Sequence, residues 1–371
     1  MSLTGEHLYQ LVQAYSALGV HRTGTPVDRA TIEWFANELV KRGARVDKVP
    51  YHFERYVADW HLIAHAAEVE ALPLYYEAVG KVKSSRLHLA ELAIISNLNA
   101  PQLDDVIARA RISGADAAIL ATTGASGRLV ALNRAPALGS GFPTVLVPGS
   151  ALQMLTQAPI HLELDARLEP SESATVIGHL GQADLERPVV LTTPLSGWFH
   201  CAGERGTGIA ITLQLAKQLA EHWPVMLVGT TGHELHFLGL RRFLRDANPR
   251  PIAVVHLGAS LAAAMPGSDG SLALAPTRQV LTTAGEGLAK HLEAVLAPAL
   301  LPVRANPPQW AGEGEEWVRL GIPILSFVGI FPLFHTPEDL PEHATSPELL
   351  EVASTAVSHA AQLFLEESLG Y

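Results

Sequence analysis

The chain has 371 residues, 48% hydrophobic and 17% charged, which is apolar enough for two domains, or one large domain with an insertion, and excludes global disorder. A formal net charge of -11 with no Lys/Arg-rich run excludes nucleic acid and anionic membrane as expected partners. The single cysteine, Cys201, excludes an intramolecular disulfide, and no apolar run approaches the roughly 20 residues that span a bilayer.

Residues 7 to 19 carry Leu8, Leu11, Val12, Tyr15 and Leu18 at helical spacing. The segment Thr23-Gly24-Thr25-Pro26 predicts a turn, and a second helix follows from about Asp28 to Arg42, with Gly43 as its stop. Val46 to Tyr51 reads as a strand. Between 58 and 172 short strands (Leu87 to Ile94, Ala117 to Ala121, Thr144 to Val147) alternate with helical pieces near Gln102 to Ser113 and after Ser150. From residue 174 onward, strands at Ala174 to His179, Val189 to Thr193, Val225 to Thr231, Ile252 to Gly258 and Pro323 to Phe327 alternate with helices at Gly208 to Glu221, Leu238 to Asp246, Thr283 to Ala297 and Pro347 to Glu366. That alternation predicts an α/β fold, its mixed but mostly parallel sheet sandwiched by helices. The expected domains are 1-58 with 173-371, and an inserted, smaller α/β accessory domain over 59-172. No internal repeat is evident.

Two motifs sit where strands end, the place where open α/β sheets build reactive sites. They are Gly203-Glu204-Arg205-Gly206-Thr207-Gly208 and Gly232-His233-Glu234-Leu235.

With His21-Arg22-Thr23-Gly24-Thr25 near the start, Ala108 to Ile119 in the middle and Phe334-His335-Thr336-Pro337-Glu338-Asp339 near the end, the chain resembles the zinc aminopeptidases with two co-catalytic metals, whose relatives include the single-zinc glutaminyl cyclases. The resemblance covers nearly the whole length and implies a zinc-exopeptidase-like fold with a protease-associated insert. It also implies a degenerate site. Where the family has its first His and Asp ligands, this chain has Pro194-Leu195-Ser196. The bridging acid falls on Glu204, the general base and its neighbouring ligand on His233 and Glu234, a later Asp ligand on His256, and the last His ligand on His335. Glu313, followed by Gly314, stands where a further acidic-His motif is expected, and is a candidate for receiving a substrate amine.

The metal site that includes Pro194 has lost a ligand outright. The other retains Glu204, Glu234 and His335, a donor set suited to one catalytic zinc, with His200 as a substitute for the missing His and His236 and His256 as further candidates. His233 would then act as a neutral base. The resemblance thus implies a metal-dependent hydrolase of amide or peptide bonds with one zinc or none, acting on a small peptide or amide. One alternative is an inactive pseudo-peptidase serving binding or assembly. Another is a metal-free acyl-transfer enzyme in which Cys201 works with His200 or His233. Plain readings stand beside these. His335 can simply bond a loop, His233-Glu234 can cap the next helix, Cys201 can be a small buried hydrophobe, and Glu313, Glu315 and Glu316 can form a solvated loop. Met1 to Glu6 lacks a signal peptide's basic and apolar regions, so a cytoplasmic location is expected. Homo-oligomer formation is left open.

Overall fold

The computed structural model describes residues 4-94, 100, 102-123, 127-181 and 187-369. Helix α1 (Gly5–Ser16) is capped by Thr4, and α2 (Pro26–Lys41) by Thr25, whose hydroxyl accepts from the Asp28 amide with Pro26 in the first turn. Strand β1 (Arg45–Ala64) follows, then the short β2 (Ala67–Glu68), β3 (Leu72–Pro73), β4 (Gly80–Ser84) and β5 (Leu87–Ala93). Next come α3 (Leu103–Ile112), β6 (Ala117–Thr123), β7 (Thr144–Pro148), α4 (Leu152–Gln157) and β8 (Ile160–Leu180). The C-terminal half contains β9 (Val189–Pro194), α5 (Thr207–Leu219), β10 (Val225–Thr230), α6 (Leu238–Ala247) and β11 (Ala253–Leu257). It continues through β12 (Ala264–Pro266), β13 (Leu272–Leu274), β14 (Arg278–Thr282), α7 (Glu286–Leu296) and β15 (Val303–Ala305). The last elements are α8 (Gly314–Val318), β16 (Ile324–Gly329), α9 (Pro341–Ala344) and α10 (Pro347–Leu369).

The main sheet has the order β15-β14-β16-β11-β9-β10-β8-β1-β2, with β4 also paired to β8. Its centre, β16-β11-β9-β10, is parallel. Val189, Val190 and Leu191 of β9 are all fully buried, as expected of a strand with helices on both faces. The expected mixed α/β sheet between helices is therefore observed. One apolar cluster joins α1, α2, α5, α7 and α10 to one face of this sheet, and a smaller one around Phe243 and Trp317 covers the other.

A second sheet, β3-β7-β6-β5, has its own buried cluster, which reaches Trp198 and Leu235 at the edge of the site. Strands β1 and β8 form a long antiparallel hairpin from Arg45↔His179 to Ala64↔Ile160. Strands predicted at Val46 to Tyr51 and Ala174 to His179 are only its inner end, and the expected limits at 58 and 172 fall inside its two arms. The outer arms bury Tyr56, Leu62, Leu162 and Leu164, and Ile160 to Glu169 alternates apolar with polar residues, a strand signal that the expected elements passed over. Among the described residues, no helix is long and apolar enough to cross a membrane.

Candidate functional site

Strand β9 lies between β10 and β11, so the chain leaves β9 towards one neighbour and later returns beside the other. Such a switch point opens a crevice at the carboxyl ends of the strands. The loops after β9, β10, β11 and β16 bring Glu204, His233, Gly258 and His335 there.

Glu204 sits in a π-helical turn, Ala202–Gly206, entered through Cys201 in a left-handed conformation (φ 49). Both Glu204 and the neighbouring Arg205 are buried. The Arg205 guanidinium is spent on this crevice: Nε donates to Ser196 O (3.1 Å), Nη1 to Gly258 O (3.0 Å), and Nη2 lies 2.6 Å from Glu204 Oε1. Burial alone would raise the Glu204 carboxyl, but the Arg205 charge, helped by His335, outweighs it and holds the group at about 2. Glu204 is thus an anion with a built-in cation.

Glu234 faces other partners. Its Oε1 accepts from the Thr23 amide (2.8 Å) and its Oε2 from Ser196 Oγ (2.8 Å), while Ser196 Oγ also accepts from the His233 amide (3.1 Å). Ser196 ties the end of β9 to the loop after β10. His233 Nδ1 pairs with Glu313 Oε1 (3.1 Å), and Glu313 Oε2 accepts from Thr230 Oγ1 (2.6 Å). Burial, then the Arg205 charge, push the His233 pKa well down, so its imidazole is neutral. His256 Nδ1 bonds Ser326 Oγ (2.8 Å) beneath Gly258. His335, at φ 61, bonds Ala131 O through Nδ1 (3.0 Å) and points Nε2 towards Glu204 Oε1 at 3.4 Å.

The structure therefore brings Glu204, His335 and Arg205 together, while the Glu234 carboxylate is bonded to Thr23 and Ser196. His200 is drawn away from the crevice: its Nδ1 bonds Ser16 O at the end of α1 (3.0 Å). His233 and Glu234 do not cap α6, whose N-cap is Phe237 with no side-chain bond. Glu313 and Glu316 are buried rather than solvated, because α8 folds against the sheet on fully buried Trp317 and Glu316 pairs with Arg241 and Arg319.

The three residues carried over for one zinc do not fit it as they stand. Both Glu234 oxygens are already engaged, and the Arg205 guanidinium would repel a cation held beside Glu204. A different trio, Cys201, Glu204 and Asp339, does come within 4.8 Å of one another. Yet Asp339 accepts from the Gly203 and Glu204 amides and is pushed to about 8 by burial and then by Glu204. Burial, followed by Glu204 and Asp339, also pushes the Cys201 thiol well up. Two of the three thus carry protons at neutral pH, and the third already has Arg205. The same facts leave Cys201 unactivated, since its Sγ contacts an acid, Glu204 Oε2, at 3.7 Å.

Beside His233 a cavity of ≈ 390 Å³ opens between β14, β15 and the loops after β11 and β16, within the range of small-molecule sites. The inserted segment instead meets the loops after β9 and β10, with the Arg134 amide donating to Glu234 O and Asn133 Oδ1 accepting from Trp198 Nε1.

Comparison with solved structures places this geometry. A zinc aminopeptidase from Bacillus subtilis superposes with a TM-score of 0.74 at 16% identity, over 96% of this chain and 94% of that one. The chain has the fold of the zinc aminopeptidases. An M28 peptidase precursor from Shewanella amazonensis gives 0.67 at 15% identity over 97% and 95% of the two chains. An aminopeptidase from Aneurinibacillus sp. strain AM-1 gives 0.62 at 18%, over 96% and 93%. No protein-family model matches the sequence, and no curated protein matches it.

Sequence reasoning passed over Arg205, Asp339, Thr23 and Thr230. For Arg205 a signal was present, a cation directly after the expected bridging acid. Asp339 and the two threonines act through contacts across the fold and left no local mark.

Proposed function

We propose that this chain is a metal-free variant of the aminopeptidase fold that binds a small peptide-like molecule at its strand ends and does not carry out metal-dependent hydrolysis. The observation behind this reading is the buried Arg205 guanidinium, paired with Glu204 and anchored on Ser196 O and Gly258 O. A fixed internal cation there removes the need for an ion and disfavours adding one. An open cavity next to neutral, carboxylate-oriented His233 argues that the crevice receives a ligand.

A second reading, one zinc at Glu204 and His335, draws on a specific geometry. His335 is anchored through Nδ1 on Ala131 O and turns Nε2 towards Glu204 Oε1 at 3.4 Å, with no closer hydrogen-bond partner for Nε2 among the described residues. Elemental analysis of protein purified without chelator separates the two. The metal-free reading expects no stoichiometric zinc and no chelator-sensitive cleavage across a panel of aminoacyl amides. One zinc per chain, lost in His335→Ala together with such cleavage, overturns it.

A further inference from the structure

We propose that the cavity beside His233 recognises the carboxylate of an apolar amino-acid-sized ligand, rather than a free α-amine. The inference rests on the reading of the crevice as a ligand pocket and names what that pocket selects.

Charge distribution carries the argument. The residue that would receive an amine, Glu313, is fully buried, and both its oxygens are occupied, by His233 and Thr230. Among the described residues, no Asp or Glu lines the cavity. Two arginines do. Arg278 is buried and donates to the backbone carbonyls of Ala275, Leu261 and Ala299, and among the described residues no carboxylate pairs with it. Arg304 is exposed on β15 and, among the described residues, pairs with no carboxylate. In a chain of net charge -11, this is a local positive well. Gln279 adds a neutral polar group, while Val328, Ile330 and Phe334 supply apolar wall. A guanidinium at the rim with apolar surface inside suits a ligand with a carboxylate at one end and an aliphatic or aromatic body, because Arg engages carboxylates through two parallel hydrogen bonds.

Titration calorimetry at fixed ionic strength tests this with three leucine probes: N-acetyl-L-leucine, its isosteric neutral amide N-acetyl-L-leucinamide, and L-leucinamide, whose free amine is cationic. The acid is expected to bind about tenfold or more tighter than the neutral amide, and leucinamide weakest. Arg304→Gln, an exposed substitution, is expected to erase the difference between acid and neutral amide without weakening the neutral probe. Equal affinity for acid and amide, preference for leucinamide, no binding of any probe, or an undiminished preference in Arg304→Gln overturns the proposal. Zinc measured on the same sample keeps the two readings apart: zinc with intact acid preference defeats only the metal-free reading, and absent zinc with no acid preference defeats only this one.

Discussion

Arg205 Nη2 and Glu204 Oε1 are 2.6 Å apart with both side chains sealed from solvent, so adjacent residues of one π-helical turn neutralise each other at the centre of the crevice. A buried pair broken on one side costs about 3–5 kcal/mol, because the remaining charge has no partner. Arg205→Met is therefore expected to lower the unfolding free energy by that order in denaturant titration. The double variant Glu204→Gln/Arg205→Met should recover a large part. A loss below about 1 kcal/mol in Arg205→Met contradicts the pairing as described.

His21 is buried, stacked on Tyr15, and bonded through Nδ1 to Thr31 Oγ1. Burial, then the nearby His200, lower its pKa from 6.5 to about 3. Between those values the unfolded chain binds more protons than the folded one, so this group's contribution to stability is complete above pH 6.5 and is lost as pH falls towards 3. The slope reaches up to about 1.4 kcal/mol per pH unit. His21→Asn should remove it, as read from unfolding midpoints across pH 4 to 7 in urea.

Asp28 works in the opposite direction. Burial raises its carboxyl to about 7 against bonds from Ser173 and the Gly24 amide that lower it. Here the folded chain holds the proton, so stability declines as pH rises from about 3.8 through about 7. Asp28→Asn should abolish that decline and leave the His21 dependence exposed, giving a protein that gains stability with pH up to 6.5. If the variant keeps the wild-type pH profile, Asp28 does not carry the shift.

Gly229 marks where α2 rests on β10. A Cβ there would meet Phe35 Cε1 at 2.5 Å and Leu195 Cδ1 at 2.9 Å, inside a packed core. Gly229→Ala is expected to cost about 1–3 kcal/mol by overpacking, and Phe35→Leu in the same chain to return part of it. Thermal unfolding of the single and double variants checks this, and a Gly229→Ala midpoint equal to wild type would contradict it.

How much was legible follows from where the information lies. The strands β9, β10, β11 and β16 are buried on both faces, so each is a run of apolar residues visible in sequence. The five-residue β14 is held by pairing to a distant strand and does not announce itself locally, whereas the outer arm of β8 alternates Leu162, Leu164, Ala166 and Leu168 with polar residues, a signal the expected strands passed over. In the site, Glu204, His233, Glu234 and His335 were all legible as chemistry-bearing residues at strand ends. Their partners were not, since Thr23 to Glu234 and Ala131 to His335 are contacts across 211 and 204 positions.

The sequence by itself determined the central strands, the helices over them and the chemistry-bearing residue types at the strand ends, because apolar periodicity and residue type are local properties. Only the tertiary structure decided which of these side chains meet. A guanidinium next to Glu204 in the chain could have pointed to solvent. It is fixed inward because the π-helical turn carries it to two carbonyls, Ser196 O and Gly258 O, that other strands deliver. Once buried there, its charge has Glu204 as partner.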